Sequence, residues 1–347
     1  MEEKFYNIER VIEMIGDSSQ KLNGKRLLWT GTGGFLGNWV LRVLEYLNLS
    51  ILQDPCEVIA VDVALPKPEL RERYEKAGIR FHAHDLTEPL WKIEEHLDFV
   101  VHMAGIASPH HYKSRPLDTI DIAINGTRST IEIARNHGAR FLFFSSSEIY
   151  QTAKTIPTPE TYIGSIASDN DRSCYDVSKL MGETITHVYG STYELDVGII
   201  RVFNSFGPGL SANDYRILPK IASALYTNTE LNVFAGNSHP TRTYCPSANT
   251  AAGIFLSLLN GKKSEVYNIG IDGPEITVIE LIDKIENELQ CKIPFKLNEP
   301  TEVYKHEPMR RCGDISKAKK ELGYHPIVSL EEGIRDFFNW AEVFYTK

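Results

Sequence analysis

Arg26-Leu-Leu-Trp-Thr-Gly31-Thr-Gly-Gly34-Phe-Leu-Gly37 decides how this chain folds. Its opening residues are a short, largely apolar run that predicts a buried strand, and glycines crowd in directly behind it. Beyond the glycines, Phe35, Trp39, Val43 and Leu47 recur four residues apart with Leu36, Val40 and Leu44 beside them. That spacing predicts a helix with a broad apolar face packed on a sheet. Strand, glycine turn and helix in this order form a place where a pyrophosphate can approach a helix N-terminus, because glycine permits both the tight turn and the close contact.

The next apolar run, Val58-Ile-Ala-Val61, ends at Asp62, 25 residues past Gly37. A carboxylate there suits the ribose 2′-hydroxyl of NAD and repels the 2′-phosphate of NADP. Further runs follow at Ile79-Arg-Phe-His82, Phe99-Val-Val-His-Met103, Arg140-Phe-Leu-Phe-Phe144 and Val197-Gly-Ile-Ile-Arg-Val202, separated by polar or helical stretches. Continuous apolar strands alternating with helices predict an α/β fold, a Rossmann-like doubly wound parallel sheet covered on both faces.

Upstream, Phe5, Ile8, Ile12 and Ile15 predict a short amphipathic helix within an extension over residues 1–23. Downstream of Phe203 the text changes character. Gly207-Pro-Gly209, Gly236-Asn-Ser-His-Pro240 and Gly270-Ile-Asp-Gly-Pro274 punctuate it, and helical patterns return near 277–290 and 331–345. The expected organisation is therefore a dinucleotide-binding domain over 24–203, with a return segment near 240–260, and a smaller C-terminal substrate-binding lobe over 204–347.

Composition bounds the partners. The chain has 347 residues, 42% of them apolar, and 46 acidic against 37 basic residues give a net charge of −9. Such a field repels nucleic acid and anionic membrane, so an anionic ligand must be held by a few placed cations. No apolar run is long enough for a membrane span. The five cysteines show no CxxC spacing, and the N-terminus lacks the pattern of a signal peptide, which together predict a reduced, cytoplasmic protein. The histidines show neither HxxxH nor HExxH spacing on a predicted helix, so no metal is expected.

Tyr175-Asp-Val-Ser-Lys179 places a phenol and an ammonium on one helix face. A phenol titrating near its ordinary value of about 10 is a poor base at neutral pH, and a neighbouring lysine is expected to stabilise the phenolate and lower that value. A Tyr and a Lys at this spacing are common by themselves. Here the strand ending in Ser145-Ser146-Ser147-Glu148 lies upstream, where a hydroxyl can hydrogen-bond a reacting oxygen.

In this order the motifs resemble the extended short-chain dehydrogenase/reductases that act on nucleotide sugars, from about residue 24 to the end. The shared pattern comprises GxxGxxG, Asp62, Asp85-Leu86, YxxxK and Arg201-Val-Phe-Asn-Ser-Phe-Gly-Pro208. Within that family the chain is most similar to the UDP-glucuronate decarboxylases. That likeness is carried by His102-Met-Ala-Gly-Ile-Ala-Ser-Pro-His-His-Tyr112-Lys, Ser147-Glu148-Ile-Tyr150, Arg172-Ser-Cys-Tyr175, Asn213-Asp-Tyr-Arg216 and Arg311-Cys-Gly-Asp-Ile-Ser-Lys317. The resemblance implies NAD held by Gly31, Gly34, Phe35, Leu36, Gly37, Asp62, Asp85, Leu86, Ala104, Tyr175, Lys179 and Ser205. It puts a nucleotide-sugar substrate on Tyr112, Asn204, Arg216, Arg242 and Arg311, with arginines matching the diphosphate by their forked geometry.

Tyr175 would then take the C4 hydroxyl proton, Lys179 tune it, and Ser146 donate to the C4 oxygen. Ser147 and Glu148 would position the sugar carboxylate or a proton-carrying water. The tripeptide Ser146-Ser147-Glu148 separates the chemistries, because 4,6-dehydratases resemble Thr-Asp-Glu here and a serine hydroxyl protonates a leaving hydroxyl poorly. Decarboxylation to UDP-xylose leads. A 4,6-dehydratase or C4 epimerase is the alternative, and a non-catalytic nucleotide-binding module the more distant one. The resemblance also implies a homodimer built on helices near 116–136 and 175–190. The chain departs from the family pattern at Ala123, at Gln151, where glycine is usual, and around Ser247–Asn249.

Overall fold

A computed structural model describes residues 6–170, 172–234, 240–299 and 308–345. Phe5 and most of the Gly236–Pro240 loop lie outside them. The first part of the chain runs α1 (Ile8–Ile15), β1 (Arg26–Thr30), α2 (Phe35–Ser50), β2 (Glu57–Asp62), α3 (Pro68–Lys76), β3 (Ile79–Ala83) and β4 (Phe99–His102). Three helices follow, α4 (Pro109–Ser114), α5 (Pro116–Asp121) and α6 (Thr127–His137), and then β5 (Arg140–Ser146), α7 (Ser173–Thr192) and β6 (Val197–Val202). The remainder is β7 (Ser205–Phe206), α8 (Ile217–Thr227), β8 (Leu231–Phe234), β9 (Thr241–Arg242), β10 (Cys245–Pro246), α9 (Ser247–Asn260) and β11 (Glu265–Ile269). It closes with β12 (Ile276–Thr277), α10 (Val278–Leu289), β13 (Phe295–Asn298), β14 (Arg310–Arg311), α11 (Ser316–Leu322) and α12 (Leu330–Tyr345).

Seven parallel strands form the central sheet in the order β11-β6-β5-β4-β1-β2-β3. Each of the five predicted strands following the glycine turn is present, and alternation explains why their runs are apolar throughout. Leu27 and Trp29 of β1 pack into one core with Trp39, Val101, Leu142 and Phe255, while Leu28 packs into the opposite one with Val61, Val100, Phe141 and Ile199. A strand covered on both faces has no polar side to show. Strand order reverses between β1 and β4, and the carboxyl ends of the strands open there into a crevice, the place where α/β sheets bind ligands.

The return to this sheet runs further than residues 240–260. Helix α9 covers one face, its residues Ser247–Leu259 all buried, and β11 then adds the seventh strand at the edge beside β6. Ile315, Ala318, Leu322 and Tyr324, beyond it, join the same core. The separate lobe has its own core, built from Phe206, Leu218, Ile221, Ile282, Ile285, Phe337 and Phe338 on α8, α10 and α12 and the strand before them. No helix among the described residues is long and apolar enough to cross a membrane.

Candidate active site

The crevice is a cavity of about 920 Å³ between sheet and lobe. Every residue to which the resemblance gives a cofactor, substrate or catalytic role lines it: the glycine turn, Asp62, Asp85, Leu86, Ala104, Tyr112, Ser146, Ser147, Glu148, Tyr175, Lys179, Asn204, Ser205, Arg216, Arg242 and Arg311. Residues scattered over 281 positions meet because they sit at or just past the carboxyl ends of strands, on the helices α4 and α7 beside those ends, or on lobe segments facing them.

At the glycine turn the backbone is shaped for close approach. Gly31 has φ +79°, and a side chain there would meet the Ala104 backbone nitrogen at 2.6 Å. A side chain on Gly37 would meet the carbonyl oxygens of Gly31 and Thr32 at 2.5 Å. Helix α2 begins without a side-chain cap at Gly34, so its first amide groups are available to an anion. Asp62 accepts the Gly33 N–H at 2.8 Å, which fixes the carboxylate beside the turn. Behind it Thr30 Oγ1 pairs with His102 Nδ1 at 3.0 Å and accepts from Ala104 N at 3.3 Å. Burial, then the Lys179 charge, push His102 down to about 3, so it is a neutral structural histidine. Leu86 is buried, Asp85 turns its carboxylate on the Thr87 N–H, and the Ser205 hydroxyl pairs with Thr250 Oγ1 at 2.8 Å.

The YxxxK pair lies in the first two turns of α7, facing β5. Tyr175 is buried with its ring stacked on Tyr112, centroids 5.1 Å apart and planes 12° apart. Burial pushes its phenol up to about 12, with a hydrogen bond from Ser146 pulling the other way and the charges of Glu148 and Asp176 adding to the rise. The expected lowering by Lys179 is therefore not built into the protein alone. The Lys179 ammonium is itself buried, donates to the Phe144 carbonyl at 2.8 Å, and is lowered to about 8 by burial. Desolvation decides both titrations, and sequence spacing carries no information on burial depth.

Glu148 follows β5 in a short 3₁₀ turn capped by Ser146 Oγ, which accepts from Glu148 N at 3.2 Å. Its carboxylate receives Arg172 on one side and Arg311, bidentate, on the other, with Arg311 Nη2 to Oε2 at 2.7 Å. Burial alone would raise its pKa, but Arg311, Arg172 and Arg242 outweigh burial and hold it below the usual carboxylate range. Glu148 is thus ionised and clamped. This changes the reading of two arginines assigned to the diphosphate. Arg311 grips Glu148, and Arg216 forks onto Asp214 at 2.7 and 2.8 Å. Arg242 donates to the Thr241 carbonyl at 2.8 Å from β9, beside β14 that carries Arg311.

Two participants escaped the sequence reading. Arg172 stands in the quoted motif and Asp176 between Tyr175 and Lys179, and motif spacing gives neither a role. Both are buried, Arg172 joins Glu148, and its Nε lies 3.8 Å from Asp176 Oδ2. Their positions beside Tyr175 were the available signal. A deeper brace holds the turn itself: Arg201 of β6 forks onto Glu183 of α7 at 2.8 and 2.9 Å and donates to the Tyr150 hydroxyl at 2.9 Å, which in turn donates to Asn268 of β11 at 2.7 Å. Among the described residues no three His, Cys, Asp or Glu side chains gather as a metal would require.

The sequence model of the NAD dependent epimerase/dehydratase family matches residues 27–270, from β1 to the end of β11. The chain belongs to that family. NAD is accordingly its cofactor, and the open backbone around Gly31 and Gly37 with Asp62 beside it fits that group. The chain is 32% identical over 311 residues to UDP-glucuronic acid decarboxylase 6 of Arabidopsis thaliana, covering 89% of this chain and 86% of the relative. It is 30% identical over 342 residues to UDP-glucuronic acid decarboxylase 1 of Xenopus tropicalis, covering 96% of this chain and 77% of that one. Among solved structures, the dTDP-glucose 4,6-dehydratase DesIV of Streptomyces venezuelae, with NAD bound, superposes with a TM-score of 0.77 at 25% identity over 91% of this chain and 96% of its own. A UDP-glucuronic acid 4-epimerase of Bacillus cereus does so with 0.75 at 22% identity over 92% and 100%, which speaks to the fold.

Proposed function

We propose that this protein is a UDP-glucuronate decarboxylase, taking UDP-glucuronate to UDP-xylose and CO2. The observation that carries the reading is the half-buried, ionised Glu148 with Arg172, Arg311 and Arg242 gathered around it, next to Ser147 where a dehydratase would need an acid. Guanidiniums gathered at this point suit a substrate that bears a carboxylate of its own. The relatives named as UDP-glucuronic acid decarboxylases support the same choice.

Each residue then has a task. Tyr175 takes the C4 hydroxyl proton, Ser146 donates to the C4 oxygen as it becomes a carbonyl, and Tyr112 backs the phenol by stacking. When bound, NAD+ supplies the acceptor for the C4 hydride and a positive ring that favours the phenolate. With a ketone at C4, the C5–C6 bond breaks, its electron pair passes toward the C4 oxygen, and CO2 leaves. The Glu148 clamp orients the departing carboxylate and a proton is delivered at C5; the hydride taken from C4 then returns to it while Tyr175 gives its proton back to the C4 oxygen, which completes UDP-xylose. Glu148 stays negative beside the substrate, with its charge met by arginines. Gly31, Gly34, Gly37 and Asp62 hold the dinucleotide in this reading, with Phe35, Leu36, Asp85, Leu86, Ala104 and Ser205 around it, and Asn204, Arg216 and Arg242 face the nucleotide sugar.

The same reading includes a homodimer. Val177, Leu180, Met181 and Val188 are exposed along the outer side of α7, and Leu117 of the neighbouring α5 is 72% exposed. Incubating the protein with UDP-glucose tests the reaction: the account expects no 4-keto-6-deoxy product, because nothing at C5 can leave as CO2 and Ser147 cannot assist a C6 hydroxyl. Efficient formation of that product would replace the decarboxylase with a dehydratase.

A further inference from the structure

Gln151 occupies a backbone conformation that suits glycine, with φ 49° and ψ −132°, immediately after the turn that carries Ser147 and Glu148. A side chain in that region is strained and persists only where its surroundings over-determine it. What determines it here is its own carboxamide. Nε2 donates to the Glu148 carbonyl at 3.2 Å and to Asp176 Oδ2, while the Gln151 backbone N–H donates to the same Glu148 carbonyl at 3.0 Å. Asp176 is 1% exposed, its Oδ1 has no hydrogen-bond partner among the described residues, and Arg172 Nε stands 3.8 Å from Oδ2. The Gln151 amide is thus a hydrogen bond that a buried carboxyl, adjacent in sequence to Tyr175, depends on.

We infer that Gln151 is a positioning residue for Tyr175, its amide tying the Ser146–Glu148 turn to Asp176 in the first turn of α7 and so setting the spacing between the two segments that carry the chemistry. The strained backbone identifies a position where a glycine would be more comfortable, and the hydrogen bonds identify what the side chain does in exchange. Continuity adds a third element, since Arg311, Glu148, Arg172, Asp176 and Gln151 form one chain of contacts from the lobe to the base of Tyr175. Removing the amide leaves Asp176 with weaker partners and lets the turn drift against α7. Near-attack geometry is sensitive to such drift.

Because the strain and the amide act in opposite directions, Gln151→Gly separates a positioning role from a structural one. This inference rests on Tyr175 as the C4 base, common to every reaction of the family, and not on which group leaves afterwards. The test is single-turnover reduction of the nicotinamide, followed by its ultraviolet absorbance after mixing the NAD+-loaded protein with UDP-glucuronate, or with UDP-glucose should product analysis have overturned the decarboxylase. Gln151→Gly is expected to slow that step about tenfold or more, as for a lost hydrogen bond to a charged group, with substrate affinity little changed. Its thermal midpoint should equal or exceed that of the wild type, since glycine relieves the backbone, whereas Gln151→Ala, which keeps the strain and loses the amide, should melt lower. In an Asp176→Asn background the Gln151→Gly effect should largely vanish. An unchanged oxidation rate, a rate loss that tracks a lower melting temperature, or full additivity with Asp176→Asn would each overturn the assignment.

Discussion

Glu148 and Arg311 lie 163 residues apart, one on the turn after the central strand β5 and the other on β14 of the lobe, yet their side chains form a bidentate pair. The pair makes the catalytic turn and the lobe one unit. Removing one member of a fully buried pair strands the other, a loss of roughly 3–5 kcal/mol when no alternative partner exists, and Glu148 is only half-buried. Arg172 remains on Glu148, so Arg311→Gln should fall short of that range. The double variant Glu148→Gln/Arg311→Gln should lose less stability than the two single variants together, measured by urea unfolding. Additive losses would mean the two side chains do not act as a pair.

Tyr175→Phe should reduce turnover by at least the roughly 10²–10⁴-fold that a general base contributes, while NAD affinity measured by titration stays near that of the wild type. The phenol is buried and stacked on Tyr112, so phenylalanine keeps that packing and loses only the proton acceptor. Wild-type-like turnover in this variant would remove the mechanism.

Asp62→Ala should weaken NAD binding and narrow the preference over NADP, because the carboxylate beside Gly33 both accepts from the ribose and repels a 2′-phosphate. Cofactor titrations that match the wild type would reduce Asp62 to a cap on the glycine turn.

The Asp176 carboxyl is raised by burial, then by the Glu148 charge, to about 7, against an ordinary value of 3.8. Between those values the folded protein holds a proton that the unfolded chain has released, so this group's contribution to stability is full below about pH 4 and is lost as pH rises to about 7. Asp176→Asn cannot lose a proton. Its stability relative to wild type should rise from pH 5 to pH 8 in thermal melts, and a constant difference would show that Asp176 does not titrate in this window.

Much of this site was readable because its pieces are local. Glycines at a strand end, a carboxylate at the next strand end and a Tyr and Lys one helical turn apart are short-range patterns, and the fold brings all of them to one cleft. Helix α9 was harder, since Ser-Ala-Asn-Thr-Ala-Ala-Gly-Ile-Phe-Leu-Ser-Leu-Leu is buried all round and shows no polar face to set a period. Strand β11 hides for a related reason, a five-residue run closing a loop-rich stretch. The pairing of Glu148 with Arg311 joins segments that no spacing rule connects, and the high phenol pKa of Tyr175 follows from depth of burial, which only the packed structure reveals.

Dimerisation is checked most simply by the charge substitution Met181→Glu on the exposed side of α7. Sedimentation at micromolar concentration should find the wild type as a dimer and this variant shifted toward monomer. A wild type that sediments as a monomer would refute the proposed interface.

The central claim is that the cleft removes CO2 from a hexuronate. Incubation of the NAD+-loaded wild type with UDP-glucuronate carrying an isotopic label at C6 measures it directly. The account predicts labelled CO2 in equal amount to an unlabelled UDP-pentose, with both abolished in Tyr175→Phe. Label retained in a nucleotide sugar of unchanged mass, epimerised at C4, would contradict it.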